Sequence, residues 1–290
     1  MLLPNAARPS WAKLSDRYMS ANQIAIEGLP VRDANIFARA WRHHELLWIL
    51  IARDLKVRYK RSVLGFLWTL LNPLITIAIF SMVFSRIFSA FYHEYKLYMF
   101  SGVLIWNFFS IASFQGLGSL ISGGGIIRKM AVPKLVFPVA AVCSNFVNFV
   151  FSLLALGIFI PLVGGKFSFA LLWLLVALPL LLMFTVGLSL LTSTATVFLR
   201  DIRDMWEPIL MVWFFLTPVF YPRSVVPQKY YALLRFNPML SILELCRLPI
   251  YLGISPPLGL LLKSALSAIF TLIIGVLVFR RFEDKFVYYV

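Results

Sequence analysis

Charged positions leave six apolar stretches along the chain, and the spacing of those stretches predicts helices that cross a membrane. Residues 62–85 are uncharged for 24 residues, enough at about 1.5 Å per residue to pass through a hydrocarbon core of about 30 Å. Asn72-Pro73 is placed to kink that first span. The run 97–127 contains Gly116, Gly118 and Gly123 to Gly125, which predict that its span ends near 117. Only Lys166 separates the runs 135–165 and 167–199, so Gly164-Gly165-Lys166 predicts a hairpin between spans at 138–161 and 169–191. The run 208–222 is just 15 residues long and reaches 205–221 when Met205 and Trp206 join it with Glu207 at the interface. The last run, 264–279, extends back to give a span over 258–280 if Lys263 snorkels.

Two segments outside these runs have their own pattern. In 33–61, Ile36, Ala40, Leu47, Ile51, Leu55 and Tyr59 recur at intervals of four or seven, while Arg53, Lys56 and Lys60 form a basic stripe. That is an amphipathic helix, read either as a membrane-surface anchor or as a docking helix for a soluble partner. Between 217 and 253, Pro218, Pro222, Pro227, Pro238 and Pro249 break the chain into short apolar pieces. Broken backbone at membrane depth needs shelter by protein or water, so these pieces are expected to be short re-entrant helices beside a cavity. The expected fold is an all-α polytopic membrane protein with six transmembrane helices, an N-terminal amphipathic interface helix over about 33–61, and short external re-entrant helices between spans five and six. Residues 33–290 form one transmembrane domain, and residues 1–32 an extension whose role stays open.

Composition turns this pattern into a statement about solvent. Of 290 residues, 61% are hydrophobic and 13% charged, with 27 Phe and 8 Trp and a mean hydropathy of +0.86. A soluble domain of this size cannot hide that much apolar surface. The net charge is +15, and basic groups beside long apolar runs answer to anionic lipid rather than to nucleic acid. With six spans, 19 Lys and Arg fall on the side of the termini against eight on the other, which predicts cytoplasmic termini. The polar start of the chain shows no cleavable signal, so the first span is expected to direct insertion.

Chemistry is sparse. Cys143 and Cys246 have neither metal nor redox spacing, and His43, His44 and His93 are too few for an imidazole centre, so no metal site is expected. GxxxxGK[ST] is absent, leaving no warrant for nucleotide hydrolysis by this chain. Asp204 and Glu207 read as a helix cap and local ion pairs rather than an acid/base couple, and no catalytic residue is assigned. Tyr221, Tyr230, Tyr231 and Phe236 read as an aromatic belt or as stacking faces for sugar rings.

Residues 50–65, LIARDLKVRYKRSVLG, followed by Leu67-Trp68 and Leu71-Asn72-Pro73-Leu74, resemble the membrane subunit of ABC-2 type exporters for bacterial surface polysaccharides, the family of O-antigen, capsule and teichoic acid exporters. Gly125-Ile126-Ile127-Arg128-Lys129 with Pro133, the run Pro218-Val219-Phe220-Tyr221-Pro222, Val226-Pro227 and Asn237-Pro238 carry the resemblance further, across most of 35–285.

The resemblance implies two copies of this chain forming a conduit, driven by two cytoplasmic ATP-binding subunits that hold the ATP and Mg, with no cofactor in the chain itself. It implies a polyprenyl-diphosphate-linked glycan as substrate and the bacterial cytoplasmic (inner) membrane as location. Contacts with the ATPase are then implied at Arg39, Arg42, Glu45, Ile126, Arg128, Lys129 and Pro133, and contacts with the lipid diphosphate or the interface at Arg53, Arg58, Lys60 and Arg61. Phe66, Trp68, Trp106, Phe109 and Tyr221 are the aromatic candidates for the conduit, and Pro218, Tyr221, Pro222, Pro227, Asn237 and Pro238 for an external gate. Two other readings stay open: an ABC-2 type exporter subunit for a small amphiphile or drug, and a polytopic transferase acting on lipid-linked glycans.

Overall fold

The computed structural model of the chain describes residues 44–60, 95–129, 132–162, 165 and 167–290, together with 67, 68, 71, 74–76, 78, 79, 82 and 83. These residues build helices α1 (His44–Tyr59), α2 (Tyr95–Ser122), α3 (Gly124–Ile127), α4 (Val136–Leu162), α5 (Leu174–Phe198), α6 (Asp201–Leu216), α7 (Tyr231–Phe236), α8 (Pro238–Tyr251), α9 (Leu258–Phe282) and α10 (Phe286–Tyr289). Short 3-10 turns, such as Phe169–Trp173 ahead of α5, join them.

The hub is α2. Of the most apolar stretch of Tyr95–Ile127, 78% is buried, against 22% for Phe169–Phe198 and for Leu258–Tyr289, so the last two turn most of their surface outward. Helix α2 packs on α4 and α5, α5 packs on α9, and α8 fits against α2, α5 and α9. Aromatic rings fill the centre: Trp106 meets Phe109, Trp213 and Phe214, and Phe109 meets Phe184, with centroids 5.4–6.4 Å apart. A second buried cluster closes one end of the bundle, where Leu120, Ile127, Val136, Phe137, Val197, Phe279 and Phe286 gather with Leu46, Leu50 and Ile51 of α1.

The six-span arrangement with re-entrant helices is not what the structure shows. Among the described residues, four helices are long and apolar enough to cross a membrane: Tyr95–Ile127, Val136–Pro161, Phe169–Phe198 and Leu258–Tyr289. The predicted span 205–221 fails on length. Helix α6 has 16 residues, and Asp201, Arg203, Asp204 and Glu207 occupy its first two turns. Its apolar remainder is well short of the roughly 20 residues a crossing needs. The predicted span 62–85 lies largely outside the described residues, as do 1–43 with Arg39 and Arg42.

The re-entrant expectation fails for a different reason. Helix α8 is a bundle helix, with Met239, Ile242, Leu243 and Cys246 at 0% exposure against α2, α5 and α9. Protein shelters it along its length, so it presents no broken backbone to lipid. The described part of the predicted interface helix, α1, also departs from its expected position. Its Leu50 and Ile51 join the cluster containing Val136 and Ala140, while its far end hydrogen-bonds Asn145 and Asn148, so α1 runs along α4 instead of lying flat on a surface.

Candidate functional site

Three constellations stand out, each built by helix faces that the apolar pattern positions. The first lies between α1, α2 and α4. Arg58 Nη2 donates to Gln115 Oε1 at 3.0 Å and to Asn145 Oδ1 at 2.9 Å. Asn145 Nδ2 in turn donates to Gln115 Oε1 at 2.8 Å and to the Ala141 carbonyl at 2.7 Å. One helical turn on, the Tyr59 hydroxyl donates to Asn148 Oδ1, while Asn148 Nδ2 is buried with no hydrogen-bond partner among the described residues. Asn145 and Asn148 are 4% and 7% exposed, whereas Gln115 and part of Arg58 are open.

This cluster belongs to a longer polar track. Asn107, Gln115 and Ser122 return every seven or eight residues on α2, and all three are exposed or half-buried on a face they share with Ser110, Ile111, Phe114 and Gly118. Polar groups on a membrane helix face a cavity or a partner rather than lipid.

The second constellation holds the turn 217–222. From α2, the Tyr95 hydroxyl donates to the Phe220 carbonyl at 2.7 Å, and the Tyr98 hydroxyl to those of Tyr221 and Pro218 at 3.1 and 3.3 Å. From α8, Arg247 donates to Pro218 O at 3.0 Å and Val219 O at 2.6 Å, with its guanidinium 3.9 Å from the Tyr98 ring centre. Arg247 is 4% exposed, and Gly102 makes the room, since a Cβ there would sit 2.0 Å from Arg247 Nη2. Asn237 completes the tie. Its Oδ1 caps α8 by accepting from the Met239 and Leu240 amides and also accepts from Trp213 Nε1, while its Nδ2 donates to Thr217 Oγ1 at 2.8 Å. An Asn cap followed by Pro at the first helical position suits a helix start.

The third is the turn after α2. Arg128 Nη2 donates to the Val290 carbonyl and Lys134 Nζ to the Glu283 carbonyl at 2.6 Å, so two of its basic groups are held by residues 283–290. Phe286, fully buried, and Tyr289 pack their rings on Phe198, with centroids 6.2 and 5.1 Å away.

The remaining predicted residues are scattered over these features. Ile126 is half-buried, Lys129 exposed and Pro133 buried in the third constellation, and Glu45 is exposed in the first turn of α1. Arg53 pairs with its neighbour Asp54 at 2.8 Å, and Lys60 is exposed. Trp106 and Phe109 are 5% and 0% exposed, so they are core side chains of this protomer, while Trp68 is 43% exposed. Pro218 and Pro222 are buried in the pinned turn, and Pro227 is exposed beyond it. Tyr221 donates to the Phe215 carbonyl at 2.6 Å, and burial raises its phenol above the ordinary value. Arg61 and Phe66 lie outside the described residues.

Sequence reading by charge passed over Gln115, Asn145 and Asn148, because carboxamides do not interrupt an uncharged run. The available signal was the recurrence of Asn107, Gln115 and Ser122 on one face of a 3.6-residue period. Among the described residues, no group of three or more His, Cys, Asp or Glu is placed to hold a metal ion.

Four long apolar helices, packed around a buried Arg247 and the turn it pins, define a helical membrane protein. The chain belongs to the ABC-2 type transporter family, which it matches over residues 45–251. It is a multi-pass helical membrane protein and the membrane subunit of an ABC-type exporter. It is 30% identical over 203 residues to the O-antigen export system permease protein RfbA of Klebsiella pneumoniae, covering 69% of this chain and 77% of the relative. The protein of the same description from Myxococcus xanthus is 31% identical over 209 residues, 70% of this chain and 79% of the relative. The polysialic acid transport protein KpsM of Escherichia coli is 22% identical over 243 residues, 81% of this chain and 92% of the relative.

Proposed function

We propose that this chain is the membrane half of an ATP-driven exporter that moves a lipid-linked polysaccharide across the bacterial inner membrane, working as a pair with two separate ATP-binding subunits. The observation that carries this reading is its similarity, along about seven tenths of its length, to permeases named for O-antigen export. The polar track on α2 supports it as well, because a hydrated glycan needs a path lined with groups that hydrogen-bond, and no such path exists in lipid.

The basic groups of 128–134, 200–203 and 280–285 gather at one end of the bundle, where Lys134 reaches Glu283 and Phe198 packs on Phe282. Basic residues favour the cytoplasmic side, so that end and its ATPase contacts face inward. Glu45, Ile126, Lys129 and Pro133, with Arg39 and Arg42, are the contact residues in this reading, and the segment 283–290 fixes the position of the turn after α2 that carries Ile126, Arg128 and Lys129. Arg58, together with Arg53, Lys60 and Arg61, meets the lipid diphosphate. The pinned turn around Pro218, Tyr221 and Pro222, with Asn237, Pro238 and Pro227, forms the external gate, and Tyr221, Trp68 and Phe66 offer ring faces to passing sugars while Trp106 and Phe109 brace the wall.

ATP hydrolysis by the reconstituted complex tests the substrate class. Long lipid-linked glycans should raise the rate and short amphiphiles should not. Stimulation by short amphiphiles alone would overturn the assignment in favour of small-molecule export.

A further inference from the structure

The arrangement of donors and acceptors around Arg58 carries a more specific conclusion. Arg58 is donor-only, so Gln115 and Asn145 must both turn their oxygens toward it. The Ala141 carbonyl is acceptor-only, which fixes Asn145 Nδ2 on its other side, and that same nitrogen takes the second lone pair of Gln115 Oε1. Asn148 Oδ1 accepts from Tyr59. Each carboxamide oxygen of the cluster therefore accepts at least one bond from within, and Gln115 Oε1 accepts two.

The groups left with no hydrogen bond at all among the described residues are donors. Arg58 Nε and Nη1, Gln115 Nε2 and the buried Asn148 Nδ2 make no hydrogen bond among the described residues. The charge balance points the same way. Asp54 is held by Arg53 Nε and Nη2 at 3.0 and 2.8 Å, and the groups that anchor Arg58 are neutral carboxamides, so the site keeps a net positive charge. It also lies deep. Counted from Val136, Asn145 and Asn148 fall roughly 13 and 18 Å along α4. An ionisable side chain held by neutral partners on a membrane helix at that position is a functional-site candidate by default. A cluster whose unbonded groups are donors around one cation favours a ligand rich in acceptors, and among membrane-borne groups a phosphate oxyanion fits.

We infer that Arg58, Gln115 and Asn148, held in place by Asn145, form an oxyanion site for the phosphate group of a membrane-borne ligand. This rests on the proposed function in taking that ligand to be the diphosphate of the lipid-linked substrate. Gln115 and the two asparagines serve as its geometry: they aim the guanidinium fork and add neutral donors around it.

The test is equilibrium binding of radiolabelled farnesyl diphosphate to the full-length chain in phosphatidylcholine nanodiscs, with farnesol as the uncharged control. The decisive variant is Gln115→Glu. Gln115 is exposed, and a carboxylate opposite Arg58 keeps the internal contact while cancelling the charge offered to a ligand, so a merely structural role would leave binding unchanged. The expected result is a loss of farnesyl diphosphate affinity of about tenfold or more with an unchanged melting temperature. Should Gln115→Glu fail to fold, Arg58→Gln serves the same readout, with Arg58→Lys expected to restore part of the affinity. Retention of wild-type affinity by the folded variant, or farnesol binding as tightly as farnesyl diphosphate, overturns the site.

Competitors identify the source of the oxyanion. Competition by inorganic diphosphate marks a free anion, competition by phosphatidylglycerol nanodiscs a lipid head group, and resistance to both the polyprenyl diphosphate; a Gln115-dependent signal in any of the three supports the oxyanion site. Failure here is separable from failure of the export reading. Wild-type transport of a lipid-linked glycan with Gln115-independent binding would remove the site alone, and Gln115-dependent binding without transport would remove the export reading alone.

Discussion

Helices α5 and α9 meet backbone to backbone at Gly187 and Gly275, and that crossing sets a quantitative expectation. A Cβ built on Gly275 would lie 2.3 Å from the Gly187 carbonyl oxygen, and one on Gly187 would lie 2.6 Å from the backbone of Thr271 and Leu272. Ordinary van der Waals contact begins at 3.4 Å, so Gly275→Ala asks the two helices to separate by about 1.1 Å. Because the obstructing atoms are backbone, no side-chain rotation relieves the overlap.

Between helices in lipid the attraction is mainly packing, which glycine permits by letting backbones approach. Overpacking of this kind costs about 1–3 kcal/mol, and a chain of this size loses roughly 2–4 °C of melting temperature per kcal/mol. Gly275→Ala is thus expected to melt several degrees below wild type when thermal unfolding is followed by size-exclusion chromatography in detergent. Gly157→Ala is the internal control. A Cβ at Gly157 meets nothing within 4 Å, and alanine is the better helix former by about 1 kcal/mol, so that variant should melt at or above the wild-type temperature. A Gly275→Ala protein as stable as wild type would refute the close crossing.

Other expectations follow from the constellations. Arg247→Leu leaves the Pro218 and Val219 carbonyls without their charged donor, and hydrogen bonds to a charged group are worth about 1.5–3 kcal/mol each; hydrogen–deuterium exchange at 219–221 should quicken, and unchanged exchange would show that Tyr95 and Tyr98 suffice. Phe286→Ala empties a fully buried ring site and should cost about 3–5 kcal/mol, with ATPase coupling lost in parallel; coupling at the wild-type level would separate 283–290 from the turn it touches. Burial pushes the Cys246 thiol up to about 12, so it stays protonated at pH 8 and should resist maleimide in the folded protein. Its folded value lies above the unfolded one, so whatever stability it lends is complete below the unfolded pKa and declines as pH rises past it toward 12. Rapid native labelling at pH 8, read by mass spectrometry, would contradict its buried position.

The sequence makes the long apolar helices legible because charge is expensive in lipid and its absence is a strong signal over 25 or more residues. That signal weakens for short segments. Helix α6 begins at Asp201, and nothing in an uncharged run of 15 residues distinguishes a short packed helix from part of a span. The Asn237-Pro238 pair is legible locally, since its cap chemistry depends on residues two and three positions away. Arg247 and Tyr98 are different: they come together across 149 positions, and Gly102 is needed to admit the guanidinium. The site around Arg58 is half visible in the sequence, as a basic residue that the family resemblance points to as a lipid-diphosphate or interface contact. Its partners Gln115 and Asn145 lie 57 and 87 residues away, and neither interrupts the apolar pattern that revealed their helices.

Transport itself tests the central claim most directly. The chain would be co-reconstituted with its cytoplasmic ATP-binding subunit in liposomes carrying a lipid-linked glycan on the ATPase side, and arrival of the glycan on the opposite face would be measured with a glycan-specific lectin. The expected result is arrival that requires both ATP and the partner subunit. Equal arrival without ATP, or chemical modification of the glycan by the chain alone, would contradict its role as the membrane subunit of an ATP-driven polysaccharide exporter.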